Sequence, residues 1–217
     1  MSHHKTQNPW IVWYHNPSDT EWDKDSYKDI IEITSIEDYC VLKNSWNICL
    51  PKVSEGMFFL MRKLDKDTCI YPQWEDEHNI DGGYWSFKIP KDKCEQVWFT
   101  LMKHVLGECL LYPDKDYLLI NGISISPKKN FSIIKIWLKK HDPMPIQKAL
   151  DSAIDCLNIS ESIYSNHSLN IKKDKHKQLN HRQHHRKKYK DTHKNKRSYN
   201  NKYNQFNDFN NNNNCGW

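Results

Sequence analysis

Two tryptophans, Trp22 and Trp74, are the residues best suited to recognition chemistry in this chain, because the second is followed at once by the acid Glu75. Trp74 lies in Tyr71-Pro72-Gln73-Trp74-Glu75-Asp76-Glu77, inside a hydrophilic stretch that runs to Gly82-Gly83. A packing role there would favour Leu or Ile. A flat indole beside a carboxylate instead suits a purine with hydrogen-bond donors on its edge, and two indoles closing from opposite sides would clamp it. The run Glu75, Asp76, Glu77 could also supply a catalytic carboxylate pair, but no second acid or nucleophile motif accompanies it, so catalysis is not expected. Gly82-Gly83 lacks the sequel of a phosphate loop and reads as a turn. Trp10, Trp13, Trp46, Trp85 and Trp98 read as packing.

These residues need a scaffold, and its elements are legible in hydrophobic periodicity. Trp10 to Tyr14, Met57 to Leu64, Tyr84 to Ile89, Leu118 to Ser126 and Ser132 to Leu138 read as strands, the last two joined by a Pro127-Lys128-Lys129-Asn130 turn. In the last strand Ile134, Ile136 and Leu138 form an apolar face. Ile133, Lys135 and Trp137 point the other way, and an indole beside a lysine marks a working surface. Thr34 to Glu37 has the spacing of a capping box and opens a helix through about Leu42. Asp92 to Glu95 repeats that pattern before a helix with Val97, Trp98, Leu101, Met102, Val105 and Leu106 on one face, ended by Gly107. Pro145 starts a third helix carrying Ala149, Leu150, Ala153, Ile154 and Leu157. Strands without regular strand-helix alternation predict an α+β fold, with the helices on one face of an antiparallel sheet.

Composition divides the chain. Of 217 residues, the segment 171–217 holds 13 Lys and Arg against 3 Asp, a net of +10, while residues 1–170 carry a net of −5. That basic, Asn- and His-rich tail cannot bury enough apolar surface to order itself and is expected to be disordered. It reads either as a non-specific grip on RNA phosphates or as a solubilising or localising segment. His181, His184 and His185 within it lack a metal-ligand spacing. The expected organisation is a flexible leader over 1–8, one domain over 9–170, and the tail. Seven cysteines, odd in number and without a Cys-x-x-Cys pair, suggest neither a disulfide framework nor a zinc knuckle and fit a reducing compartment. No signal core or membrane-length apolar run is present, so a cytoplasmic monomer without membrane contact, metal or cofactor is expected. Abundant Asn, Lys and Ile point to an AT-rich genome, such as that of a protist or giant DNA virus.

The spacing of Trp10, Trp13, Trp22, Trp74-Glu75-Asp76, Asn79, Gly82-Gly83-x-Trp85, Trp98, Gly107-Glu108, Gly122 and Trp137 resembles the translation initiation factor 4E family, which binds the 5′ cap of messenger RNA. The resemblance covers about residues 8 to 168, and a giant-virus member is the expected source. It implies a curved antiparallel sheet with about three helices on its convex face and a cap slot on the concave face. Trp22 and Trp74 would stack the 7-methylguanine base, Glu75 would accept hydrogen bonds from its N1 and N2 groups, and Trp137 would contact the N7-methyl group. Methylation makes the base a cation, so stacking on indoles gains a cation–π contribution that plain guanine lacks. The carboxylate contact is likewise charge-assisted.

Two departures stand beside the resemblance. The family holds the cap triphosphate with several Arg and Lys, whereas Tyr84, Asn130 and Ile133 occupy such positions here. Lys128 matches one position, and Lys129 and Lys135 are candidate substitutes, so the first transcribed nucleotide is expected to matter more than usual. On the helical back, where the family binds the scaffold factor 4G, Cys40 replaces a tryptophan, Thr100 an acid and Lys103 a leucine, while Ile36 and Phe99 stay apolar. A non-standard scaffold partner is therefore expected. The implied function is cap recognition for translation initiation, and its alternative is a cap-binding repressor without the usual scaffold.

Overall fold

The computed structural model describes residues 4–112, 116–141, 150 and 154–173. The chain divides into two units, Met1–Ile171 and Lys172–Trp217. The tail, with its histidines, lies outside the described residues apart from its first few.

Seven strands form one antiparallel sheet: β1 (Lys5–His15), β2 (Tyr27–Ser35), β3 (Met57–Arg62), β4 (Gly83–Pro90), β5 (Ile120–Pro127), β6 (Phe131–Leu138) and β7 (Ile163–Asn166). Their spatial order is β2-β1-β3-β5-β6-β4-β7. Two long helices, α1 (Ile36–Cys49) and α2 (Cys94–Leu106), cover one face, and residues 167–173 are also helical. The fold is the α+β architecture that the periodicity predicts.

Period-two alternation sorts side chains between the faces. Trp10 and Val12 of β1, Phe58 and Leu60 of β3, and Ile134, Ile136 and Leu138 of β6 enter the main core beneath the helices. Their neighbours Ile11 and Trp13, Met57, Phe59 and Met61, and Trp137 form a second cluster on the open face. Tyr39, Leu42 and Trp46 of α1 and the Val97 to Leu106 stripe of α2 close the main core. One chain thus builds two apolar clusters back to back through a single sheet.

Several boundaries differ from expectation. β1 begins at Lys5, inside the stretch expected to be a loose leader, because Lys5 pairs with Ser35 and the His4 amide donates to the Glu37 carboxylate at 3.1 Å. The edge strands β2 and β7 carry no clear periodic signal, since charges at Lys28, Asp29 and Glu32 mask the first and the second has four residues. Helix α1 is capped one residue later than expected. The Ser35 hydroxyl accepts from the Asp38 amide at 3.1 Å, and Asp38 accepts in return from the Thr34 amide at 2.9 Å. The helix then continues to Cys49, past Leu42. No side-chain cap forms at Asp92; a short 3-10 turn over Lys91–Lys93 leads into α2 instead. Gly107 ends α2 as expected, but the left-handed backbone falls on Glu108, with φ 52°. The helix expected from Pro145 lies mostly outside the described residues, although Leu150, Ile154 and Leu157 are buried.

The strain at Glu108 coincides with a buried ion pair. Arg62 donates to both Glu108 carboxylate oxygens, at 2.7 and 2.9 Å, and its Nε donates to the Ile120 carbonyl at 3.0 Å. The Arg62 guanidinium also lies 4.3 Å from the Trp10 ring. All three guanidinium nitrogens thus donate to an acceptor, the condition for burying such a pair.

Candidate functional site

Trp22 and Trp74 come from different connections. Trp22 lies between β1 and β2, in a loop shaped by Asn16, Asp19 and Asp23, whose carboxylate or amide oxygens accept from the amides of Ser18, Glu21 and Ser26 at 2.9 to 3.0 Å. Such local bonds favour turn over strand. The Trp22 ring is 51% exposed and stacks on His15 at 4.2 Å with an interplanar angle of 4°. His15 is buried, with Nε2 2.9 Å from the Glu21 carbonyl. One face of the Trp22 indole is therefore occupied by protein.

Trp74 lies between β3 and β4, and its loop is braced from below. The Asn79 side-chain amide donates to the carbonyls of Tyr71 and Gln73, both at 2.8 Å. Asn121 donates to the His78 carbonyl at 2.7 Å and to the Asn79 side-chain oxygen at 2.9 Å. Asp76 accepts from the Tyr71 amide at 3.2 Å and the His78 amide at 2.9 Å, so it is a structural acid. Asn121 can reach because it is the extra residue of a β-bulge: Ile120 pairs with Leu138 and Gly122 with Trp137. Gly122 must be glycine, since a Cβ there would overlap the Leu60 carbonyl and Met61. Gly82-Gly83 is less a turn than a close approach, as a Cβ at Gly82 would overlap the Leu138 carbonyl.

The two loops are tied together. Gln73 Nε2 donates to the Trp22 carbonyl at 2.6 Å, and the Lys24 ammonium lies 4.5 Å from the Tyr71 ring centroid. Glu75 is exposed, yet close enough to Tyr27 that its charge, after burial, helps push the phenol well above its ordinary pKa. Tyr27 in turn lies 6.4 Å from the Trp22 ring. The acid that follows Trp74 is thus felt on the Trp22 side.

Beneath Trp74 the open face is aromatic. Trp137 is buried, and its Nε1 donates to Ser124 Oγ at 2.9 Å. Tyr84 faces Trp74 at 6.3 Å and 17°, and Lys135 Nζ lies 4.3 Å from the Tyr84 centroid and 5.2 Å from that of Trp74. Burial, reinforced by Lys128, lowers the Lys135 pKa to about 8. His167, which no sequence pattern marks, is wholly buried 4.9 Å from the Trp137 ring and 5.4 Å from Tyr84. Neither ring nitrogen has a hydrogen-bond partner among the described residues. Burial, then Lys135, lowers its pKa to about 3, so the imidazole is neutral at ordinary pH. Lys128 and Lys129 are exposed in the β5–β6 turn.

On the helical back, Ile36, Cys40 and Lys103 are exposed, but Phe99 is only 5% exposed. Phe99 belongs to the buried stripe of α2, and Trp46 and Tyr39 of α1 cover it at 5.3 and 6.4 Å. Among the described residues no group of His, Cys, Asp and Glu could hold a metal, and no helix is long and apolar enough to cross a membrane.

A family model described as eukaryotic initiation factor 4E matches residues 5–202. Eukaryotic translation initiation factor 4E of Eremothecium gossypii is 29% identical over 149 residues, which are 67% of this chain and 67% of that protein. The protein of the same description from Dictyostelium discoideum is 36% identical over 142 residues, 63% of this chain but only 52% of its own length. Among solved structures, Ascaris suum eIF4E-3 with m7G cap superposes with a TM-score of 0.55 at 21% identity, covering 65% of this chain and 77% of that one. C. elegans eIF4E-3 with the 4E-binding protein Mextli gives 0.63 at 18%, covering 78% and 96%.

Proposed function

This chain belongs to the eukaryotic initiation factor 4E family, and from that premise we propose that it binds the 7-methylguanosine cap of messenger RNA and recruits the message for translation initiation. The reading is of a binding protein, with no bond made or broken. One observation carries it: Trp22 and Trp74, from separate connections, are tied at one end of the open face by the Gln73 to Trp22 hydrogen bond of 2.6 Å, with Glu75 beside them. In this reading the base stacks on the free face of Trp22 and on Trp74, Glu75 accepts from the guanine edge, and Trp137 bounds the methyl group. The Ascaris neighbour, whose structure holds an m7G cap, supports it at the level of fold. Lys128, Lys129 and Lys135 supply the phosphate charge, and the protein acts as a monomer in the cytoplasm.

Retention on immobilised 7-methylguanosine triphosphate is the test. Wild type is expected to bind and to elute with free methylated nucleotide but not with plain guanosine triphosphate, while Trp74→Ala is expected to pass through. Equal behaviour of the two proteins would refute the reading.

A second reading, a cap-binding repressor, rests on the helical back. With Phe99 covered, Cys40 small and Lys103 charged, that surface offers a scaffold helix fewer apolar anchors than the family pattern. Capture on capped RNA followed by identification of co-purifying proteins separates the readings, since a scaffold and a helicase would favour initiation.

A further inference from the structure

Lys135 is an ammonium without an anion. It stands in the middle of β6 on the open face, opposite Ser86 of β4 and Ser124 of β5. Among the described residues it has neither an ion pair nor a hydrogen bond, and only the rings of Tyr84 and Trp74 receive its charge. Its titratable surroundings are unhelpful: Lys128 repels it, and the neutral imidazole of His167 offers no negative charge. A half-buried cation ordinarily finds a carboxylate, and leaving one unpaired is costly. Aromatic faces compensate in part, by the same attraction a methylated purine would use.

We propose that Lys135 is a displaceable internal cation, resting on Trp74 and Tyr84 in the free protein and passing to a phosphate of the ligand when a cationic base takes its place. The inference rests on the cap reading and adds a selection rule to it. A methylated nucleoside brings a second positive charge to Trp74 and gives Lys135 nothing in exchange. A methylated nucleotide brings the charge together with its own counterion. Lys135 therefore opposes the first ligand and favours the second, so the site selects for the phosphate as well as for the methyl group.

This predicts a reversal of sign, which general damage to the site would not produce. In a titration, Lys135→Met should bind 7-methylguanosine about threefold to tenfold more tightly than wild type, and 7-methylguanosine triphosphate more weakly by a similar factor. Lys135→Arg, which keeps the cation, should not reproduce the reversal. If Lys135→Met weakens both ligands, strengthens both or alters neither, the inference is overturned while the cap reading stands on the wild-type affinities. If wild type binds neither ligand, both fail together.

Discussion

The two faces of the sheet use the same residue type in opposite ways. Beneath the helices, Trp10, Trp46, Trp85 and Trp98 are fillers of a continuous apolar core. On the open face, Trp22, Trp74 and Trp137 each stand against a polar or titratable neighbour, His15, Lys135 and His167 respectively. Among the described residues the core beneath the helices leaves the indole N–H groups of Trp10 and Trp98 without acceptors, whereas the open face holds a cation without an anion and an imidazole with neither nitrogen bonded. What sets the open face apart is the unpaired charge, which a ligand carrying an anion would satisfy.

The sharpest break of that contrast is paired truncation. Trp98→Ala should cost about 3–5 kcal/mol of stability, the usual toll of emptying a large core site. Trp74→Ala should cost far less in a denaturant melt while abolishing cap retention. Equal destabilisation would erase the distinction between the faces.

Acid should attack the open face next. The His167 pKa lies at about 3 when folded against an ordinary 6.5, so between those values the unfolded chain holds more protons and stability falls as pH falls. The slope should approach about 1.4 kcal/mol per pH unit. The lowered carboxylates Glu37, Asp38 and Asp65 act in the same direction, but from unfolded values of 4.5, 3.8 and 3.8. The window from pH 6.5 to 4.5 therefore isolates the imidazole, and His167→Phe should flatten the profile there; an unchanged slope would show that His167 is not the acid-labile group.

Lys135 predicts the same sign of pH dependence in an alkaline window. With a folded pKa of about 8 against 10.5, wild type should gain stability as pH rises through that interval. Lys135→Met should be more stable at neutral pH by about 1–2 kcal/mol after allowance for screening, and its advantage should vanish near pH 10.5. A constant advantage would point to packing instead of charge. The smallest effect is expected from Ser124→Ala, which leaves the buried Trp137 Nε1 unsatisfied at a cost of about 1 kcal/mol. Thermal melts should register it, and no shift would mean that the indole finds another acceptor.

Alternation made much of the fold legible: placing Ile134, Ile136 and Leu138 opposite Lys135 and Trp137 assigns β6 to its two faces from sequence alone. The edges were hidden, because a strand paired on one side tolerates the charges of β2 and the brevity of β7. At the site, Trp22, Trp74 and Glu75 announce themselves by type. His167 does not, because a lone histidine among Ser and Asn has no pattern until the sheet brings it beside Trp137. The Asn79–Asn121 brace spans 42 residues of sequence and depends on a bulge that periodicity does not report. The burial of Phe99 was hidden for a related reason, since an aromatic residue on a helix does not declare which of two neighbours will cover it.

The bulge at Asn121 has a consequence for how this site can change. Every other residue of β5 keeps a regular partner on β6, so deleting Asn121 would join Ile120 to Gly122 and leave an unbroken ladder with Leu138 and Trp137 still in place. The sheet would lose nothing that holds it together, and the loop bearing Trp74 would lose the post that fixes its height. If Trp74 grips the cap as proposed, architecture and recognition are separable at one codon: a lineage could shed or regain that grip by a three-base deletion or insertion without rebuilding the fold that carries it.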